Sequence, residues 1–153
     1  MIRTGGCQCG AVRFRVEGEL GRGSLCHCRM CQKAFAAPYA ALVTVGRTQL
    51  VWTRGQRSLF QSSNKVQRGF CGACGTPLTF EWDAAKIDLA VCAFDDAAAI
   101  VPQVQLRTAS ALPWAAAAAD LPVAAGPQVE AHDAAVVSYQ HPDHDTPRWP
   151  PAG

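Results

Sequence analysis

Clustered cysteines constrain the fold of this chain more than any other feature of its sequence. The chain has eight cysteines in 153 residues, and only Cys92 stands apart from the others. The remaining seven form three groups with metal-ligand spacing: Cys7-x-Cys9, Cys26-x-Cys28-x-x-Cys31 and Cys71-x-x-Cys74. The first residues contain no apolar signal core and no apolar run approaches ~18 residues, so we expect a cytoplasmic protein that does not span a membrane. In that reducing compartment, clustered cysteines bind metal more often than they form disulfides.

Short segments of alternating polarity predict the secondary structure. Residues 28–35 favour one short helix. Strands are predicted over 11–16, 40–45, 49–52, 59–61, 66–70 and 78–82, with a longer and more buried strand over 87–94. Turn signals between these short strands are typical of an all-β domain.

The length of the chain suits one domain followed by a tail. Apolar residues make up 49% and charged residues 17%, which is typical of a globular protein, and the net charge of +2 is too small to indicate nucleic-acid binding. We expect the domain to occupy residues 3–122. Residues 123–153 contain five prolines and no periodicity, which predicts a loosely held tail. In that tail His132, His141 and His144 are expected to be solvated and not to bind metal.

Two cysteine pairs, Cys7 with Cys9 and Cys71 with Cys74, predict a closed zinc site. Residues two apart in an extended segment face the same side, and the glycines beside Cys71 and Cys74 allow a turn that aims both thiolates at one ion. Closed sites with four ligands are structural. The zinc ion would therefore join the N-terminus to the middle of the domain and contribute strongly to folding.

The three remaining clustered cysteines, Cys26, Cys28 and Cys31, predict a second zinc ion. Three protein ligands and one exchangeable position are typical of catalytic zinc sites. A single site drawn from all seven cysteines, or an iron–sulfur cluster, is the less favoured alternative. Zinc with three thiolates carries one net negative charge, which makes it a weak Lewis acid suited to a fourth sulfur ligand. The expected ligand is a small thiol or a thiol adduct.

Several motifs resemble the glutathione-dependent formaldehyde-activating enzyme family, which is also named after a centromere-associated vertebrate protein. They are Gly5-Gly6-Cys7-x-Cys9-Gly10-Ala11-Val12, Cys26-His27-Cys28-x-x-Cys31-x-Lys33, Phe70-Cys71-x-x-Cys74-Gly75-x-Pro77-Leu78 and Phe94-Asp95-Asp96. The resemblance covers about residues 3–122 and implies an Mss4-like fold of small twisted antiparallel sheets. It assigns the same four cysteines to a structural zinc and the same three to the zinc of the active site. It also implies condensation of glutathione with formaldehyde, or cleavage of a carbon–sulfur bond in such adducts.

One position departs from the family pattern. Members often carry a His three residues after the proline that matches Pro102, where this chain has Gln105, while Pro113-Trp114 is kept. The replacement bears on the formaldehyde reaction if that His acts beside the active zinc, and changes nothing if it only packs the sheet.

Four single residues near the motifs carry expectations of their own. Cys92 is expected to be a buried core thiol, and as a less favoured alternative to complete the second zinc site. His27 is expected to point away from the metal and to position its loop through a hydrogen bond. Arg29 and Lys33 flank the open site, where they either anchor the carboxylates of glutathione or form a solvated face.

Two classes of function follow from these motifs. The first is an enzyme that forms or cleaves a carbon–sulfur bond in adducts of glutathione or another small thiol. The alternative is a non-catalytic Mss4-like binding module, in which a fourth protein ligand would close the second zinc site. Methionine-sulfoxide reductase chemistry is a weaker third possibility, because it needs a free cysteine and only Cys92 is spare. No membrane or nucleic-acid partner is expected.

Overall fold

Strands dominate the computed structural model, which describes residues 1–150. The strands in chain order are β1 (Ile2–Gly6), β2 (Arg13–Glu17), β3 (Gly23–Cys26), β4 (Ala40–Gly46), β5 (Leu50–Arg54), β6 (Ser58–Gln61), β7 (Gln67–Phe70), β8 (Pro77–Glu81), β9 (Lys86–Ala90) and β10 (Val104–Leu106). Each is seven residues or shorter, as the closely spaced turn signals require.

Helices are few and short in the described residues. They are α1 (Arg29–Phe35) and α2 (Pro127–Ala135), with 3-10 turns at Arg47–Gln49, Val91–Ala93, Ala97–Ala99, Thr108–Ser110 and Pro113–Asp120. The short helix predicted over 28–35 is confirmed as α1. Neither α-helix has the length and apolarity that a bilayer crossing requires.

The strands form two sheets, one of three strands in the order β1-β2-β5 and one of seven in the order β10-β3-β4-β9-β8-β7-β6. The pairing is antiparallel throughout except between β10 and β3, which run parallel. The predicted mainly β fold is confirmed, with the difference that one sheet is larger and mixed. The parallel pair arises because β10 returns to the sheet only after a long connection, an arrangement that local turn signals do not reveal.

Phe14 of β2 lies at the centre of the main core and is fully buried. Its ring packs edge-on against Trp52 of β5 at 6.0 Å and against Phe94 at 5.1 Å between ring centroids. Such edge-to-face pairs are favourable beyond the area that they bury. The core therefore fixes the small sheet against the large one.

The tail is held against the domain at one place, which we call the C-terminal strap (residues 140–149). His141 is only 3% exposed, and its backbone N–H donates to the Gln8 carbonyl at 2.8 Å. Asp145 accepts a hydrogen bond from Arg13 at 2.8 Å, and the Thr146 carbonyl accepts one from Arg54. The expectations of a loose tail and of a solvated His141 are thus wrong for the strap, because buried partners on the domain replace the contacts with water. The domain limit at residue 122 stays a prediction.

Candidate metal centres and the adjoining cavity

Two turns from different sheets bring the first four cysteines together. Cys7 and Cys9 lie in the turn between β1 and β2, and Cys71 and Cys74 lie in the turn between β7 and β8. All four Sγ atoms lie within 4.8 Å of one another, with Cys7 and Cys9 separated by 3.6 Å and Cys9 and Cys71 by 3.8 Å. A tetrahedron with zinc–sulfur distances of about 2.3 Å has sulfur–sulfur edges of about 3.8 Å. The four-cysteine cluster could therefore hold a metal ion.

Glycine conformations shape both turns. Gly75 has a φ of 79°, in the left-handed region, and its N–H donates to the Cys71 carbonyl at 2.8 Å. Gly10 has a φ of 72°, and a Cβ there would lie 2.3 Å from the ring of His141 in the strap. Only glycine combines this backbone with so close an approach.

The surroundings of Cys7 and Cys74 shift the pKa values of these two thiols in opposite directions. Burial raises the pKa of Cys7 to about 12. Burial also tends to raise the pKa of exposed Cys74, but hydrogen bonds from the side chain and backbone of Thr76 outweigh it and lower this pKa to about 6. Burial thus favours the protonated form of Cys7, whereas the hydrogen bonds from Thr76 favour the thiolate form of Cys74.

The second group of cysteines lies where β3 passes into α1. Cys26 is the last residue of β3, Cys28 caps the N-terminus of α1, and Cys31 lies in the first turn of that helix. The Cys28 Sγ accepts the Cys31 N–H at 3.4 Å, and all three Sγ atoms lie within 4.8 Å of one another. The helix start thus brings three sulfur donors together, and the three-cysteine cluster could also hold a metal ion.

A cavity of about 670 Å³ adjoins the three-cysteine cluster. Its walls are Cys26, Cys28, Met30, Cys31, Ser62, Ser63, Val66, Arg68, Phe80, Gln105, Leu106 and Arg107. This volume is within the range of sites for small molecules. The described residues of the wall include no carboxylate and no histidine, so the charge of the wall comes from two arginines and the sulfurs.

The cations in this cavity are not those that the sequence analysis proposed. Arg29 and Lys33 are exposed and line a separate cavity of about 530 Å³ beside Trp114. Arg68 and Arg107 line the three-cysteine cavity instead. The reason is that α1 turns its residues 29 and 33 away from the cysteine-bearing side of the helix.

Arg68 is the functional candidate that sequence reasoning missed. It is 7% exposed and its Nη2 donates to the Cys31 Sγ at 3.5 Å. Burial raises the pKa of Cys31 to about 12 against the opposing influence of this guanidinium. The sequence did carry a signal for the burial of Arg68. It lies two residues from Val66 and from Phe70, and residues two apart share one face of a strand.

His27 and Gln105 form a bridge between the cysteine loop and β10. The Nε2 of His27 lies 2.9 Å from the Oε1 of Gln105, and the His27 backbone N–H donates to the Leu106 carbonyl at 2.9 Å. The prediction that His27 positions its loop through a hydrogen bond is confirmed. Gln105 also lines the cavity, so its identity affects both the loop and the cavity wall.

Cys92 is exposed, so the prediction of a buried core thiol is wrong. The predicted strand over 87–94 ends at Ala90, and a 3-10 turn over Val91–Ala93 rotates Cys92 outward. Cys92 lines another cavity, of about 420 Å³, together with Cys7 and Cys74. It is absent from the described wall of the three-cysteine cavity, and therefore does not complete that cluster.

Comparison with known proteins assigns the chain to a family. A sequence model of the glutathione-dependent formaldehyde-activating enzyme family matches residues 2–110, and the chain belongs to that family. It is 29% identical over 82 residues to an uncharacterized lyase of Schizosaccharomyces pombe, a match that covers 54% of this chain and 59% of the yeast protein. It also superposes on the crystal structure of a Rhodobacter sphaeroides protein with a TM-score of 0.54 and 22% identity, covering 67% of this chain and 98% of the other. That structural likeness concerns the fold alone.

Proposed function

We propose that this member of the family is a zinc-dependent carbon–sulfur lyase. In this proposal it cleaves or forms adducts between formaldehyde-type aldehydes and glutathione or another small thiol. The observation that carries the proposal is the position of the three-cysteine cluster beside a cavity of about 670 Å³. Three protein sulfurs leave one position free on a tetrahedral ion, and the cavity offers space for the ligand that fills it.

Zinc is the metal that the donor sets favour. Thiolates are soft ligands, and sites built from four sulfurs are typical of zinc or iron–sulfur centres. The sulfur–sulfur distances of 3.6 and 3.8 Å in the four-cysteine cluster agree with the edges of a zinc tetrahedron. We assign Cys7, Cys9, Cys71 and Cys74 to a structural zinc, and Cys26, Cys28 and Cys31 to the zinc of the active site.

In the proposed site, zinc would hold the sulfur of the substrate as thiolate and so favour it as leaving group or nucleophile. The protein residues around it bind and orient the adduct. Cys26, Cys28 and Cys31 would hold the ion at the cavity wall, and Phe80 and Val66 supply apolar wall that limits the access of water. Arg68 and Arg107 supply positive charge beside the sulfurs.

The proposed cleavage is balanced without any redox partner. The hydroxyl group of a hydroxymethyl thiol loses its proton, its oxygen forms the carbonyl of the aldehyde, and the carbon–sulfur bond breaks with its electron pair going to sulfur. The side chains of Ser62 and Ser63 are the hydroxyl groups of the wall that can pass the proton to solvent. The reverse sequence condenses the thiol with the aldehyde.

Membership of the family and the lyase name of the yeast relative support the proposal. The match spans only 59% of that relative, so glutathione, formaldehyde and the direction of the reaction belong to the proposal. A non-catalytic binding module would need a fourth protein ligand at the three-cysteine cluster. Cys92, the cysteine left over for that role, lines a different cavity.

The direct test follows formaldehyde release from a hydroxymethyl thiol adduct by the zinc-loaded protein. We expect a rate above the uncatalysed background that is lost in Cys28→Ser and kept in Cys92→Ser, the matched exposed cysteine. A wild-type rate equal to background with glutathione and with simple thiols would reject the enzyme proposal. A thiol titration of cobalt-loaded protein then identifies a closed site, because its visible spectrum would not respond to thiol.

A further inference from the structure

Arg68 is a buried cation directly beside the three-cysteine cluster. It lies on β7, and its guanidinium is 4.9 Å from the centre of the Phe80 ring. Its Nε donates to the Ser62 Oγ at 2.9 Å and its Nη2 donates to the Cys31 Sγ at 3.5 Å. The guanidinium is thus held in place by an aromatic face, a hydroxyl group and a sulfur.

The charge of Arg68 has no carboxylate partner in residues 1–150. The described ion pairs do not include it, whereas the equally buried Arg13 pairs with Asp95 at 2.6 Å and with Asp145 at 2.8 Å. A buried charge is costly unless it is paired. The cysteine sulfurs are therefore the groups available to balance Arg68.

The guanidinium also has unused hydrogen-bonding capacity. Its Nη1 is shielded from water and has no hydrogen-bond partner in the described part of the chain. Buried donors of charged groups are normally paired, and an unpaired one at a cavity wall indicates a group that the protein alone does not supply.

We infer that Arg68 is a positioning residue that makes the three-cysteine centre select a thiolate as its external ligand. This inference rests on the proposed function. Three thiolates around a divalent ion carry one net negative charge, and a second anion would be repelled in a poorly solvated cavity. Arg68 offsets that charge beside Cys31, so that an anionic sulfur can bind. A neutral ligand gains much less from the same cation.

The test compares two ligands on the cobalt-loaded full-length protein through the visible spectrum. The ligands are 2-mercaptoethanol, which binds metal as thiolate, and imidazole, which binds as a neutral group. We expect Arg68→Met to weaken thiol binding by about tenfold or more while imidazole binding changes by no more than about twofold. Arg68→Lys keeps the charge and should recover most of the thiol affinity. Arg22→Met removes an exposed arginine that lines a different cavity and should change thiol affinity by no more than about twofold.

Equal losses for both ligands in Arg68→Met, or no loss for the thiol, would overturn the inference. Arg68→Gln, which keeps a donor for Ser62, is a second uncharged variant if Arg68→Met fails to load metal. The wild-type protein gives a measurement that needs no variant, because selection of a thiolate releases about one proton per bound thiol at neutral pH. Thiol binding without proton release would also overturn the inference. If the wild-type protein turns over the adduct but Arg68→Met binds thiol as tightly as the wild type, only the inference about Arg68 is rejected. If the wild-type protein binds no thiol, the proposed function is rejected as well.

Discussion

The guanidinium of Arg13 makes two hydrogen bonds to the carboxylate of Asp95, which lies 82 residues further along the chain, at 2.7 and 2.6 Å. Both side chains are largely buried, with 4% and 11% of their surfaces exposed. Burial tends to raise the pKa of Asp95, but the hydrogen bonds from Arg13 and Thr4 outweigh it and hold this pKa below its ordinary value of 3.8. The contribution of the Arg13–Asp95 pair to the stability of the folded chain is therefore present above pH 3.8 and is lost as the pH falls through the lowered pKa of Asp95. The pair ties β2 to the segment after β9, next to the four-cysteine cluster.

Asp95→Asn should destabilise the protein by about 3 kcal/mol, because it leaves a buried guanidinium with only the half-exposed Asp145 as carboxylate partner. Denaturant unfolding at neutral pH measures the loss. Glu17→Gln is the matched control, since the Arg15–Glu17 pair is exposed at 40% and 53% and should contribute less than about 1 kcal/mol. Equal effects of the two substitutions would contradict the structural importance of the buried pair.

Removal of a ligand from the four-cysteine cluster should unfold or strongly destabilise the chain. Cys71→Ser is expected to lower the metal content by one ion per chain and to reduce Tm sharply, because the proposed zinc ion would join turns from two sheets. Metal analysis and thermal unfolding of the same sample check both effects. Cys92→Ser should leave metal content and Tm close to those of the wild type, and a drop in its metal content would show that Cys92 is a ligand.

The strap should loosen as the pH falls below about 6.5. Burial, together with the charges of Arg13 and Arg54, holds the pKa of His141 below its ordinary value of 6.5. The neutral ring is therefore favoured in the folded chain, and the resulting stability is complete above 6.5 and declines as the pH falls toward the lowered pKa. NMR titration of the His141 ring measures its pKa. The indole signal of Trp149, whose ring centroid lies 5.2 Å from that of His141, reports whether the strap stays packed. His141→Asn should remove the pH dependence of the Trp149 signal; a wild-type signal that does not change with pH would contradict the prediction.

Gln105→Leu should cost about 1–3 kcal/mol of stability, because it leaves the Nε2 of buried His27 without a hydrogen-bond partner. Gln105→Glu keeps an acceptor at the same distance and should retain most of that stability. Unfolding free energies of the two variants give the comparison. If the leucine variant is as stable as the glutamate variant, the bridge between His27 and β10 does not hold the cysteine loop.

Part of this protein could be predicted from local sequence patterns alone. The spacing of the cysteines indicated the three local groups, since residues two apart in an extended segment face one side and a tight turn can aim residues three apart at one ion. Alternating polarity located most of the strands, and the short helix α1 follows from residues 28–35. These features depend on neighbours in the chain, and the family resemblance depends on the same residues.

Other features were decided only when distant segments packed together. Cys92 belongs to an apolar run, yet a 3-10 turn exposes it, and the strap buries His141 through partners more than 80 residues away. Arg29 and Lys33 are near the cysteines in sequence, but Arg68 of β7 donates to Cys31 although three strands separate β7 from β3 in the sheet. Sequence by itself determined which sulfurs could bind metal. The tertiary structure decided which charges surround them, because burial and charge pairing depend on contacts between segments that no local pattern encodes.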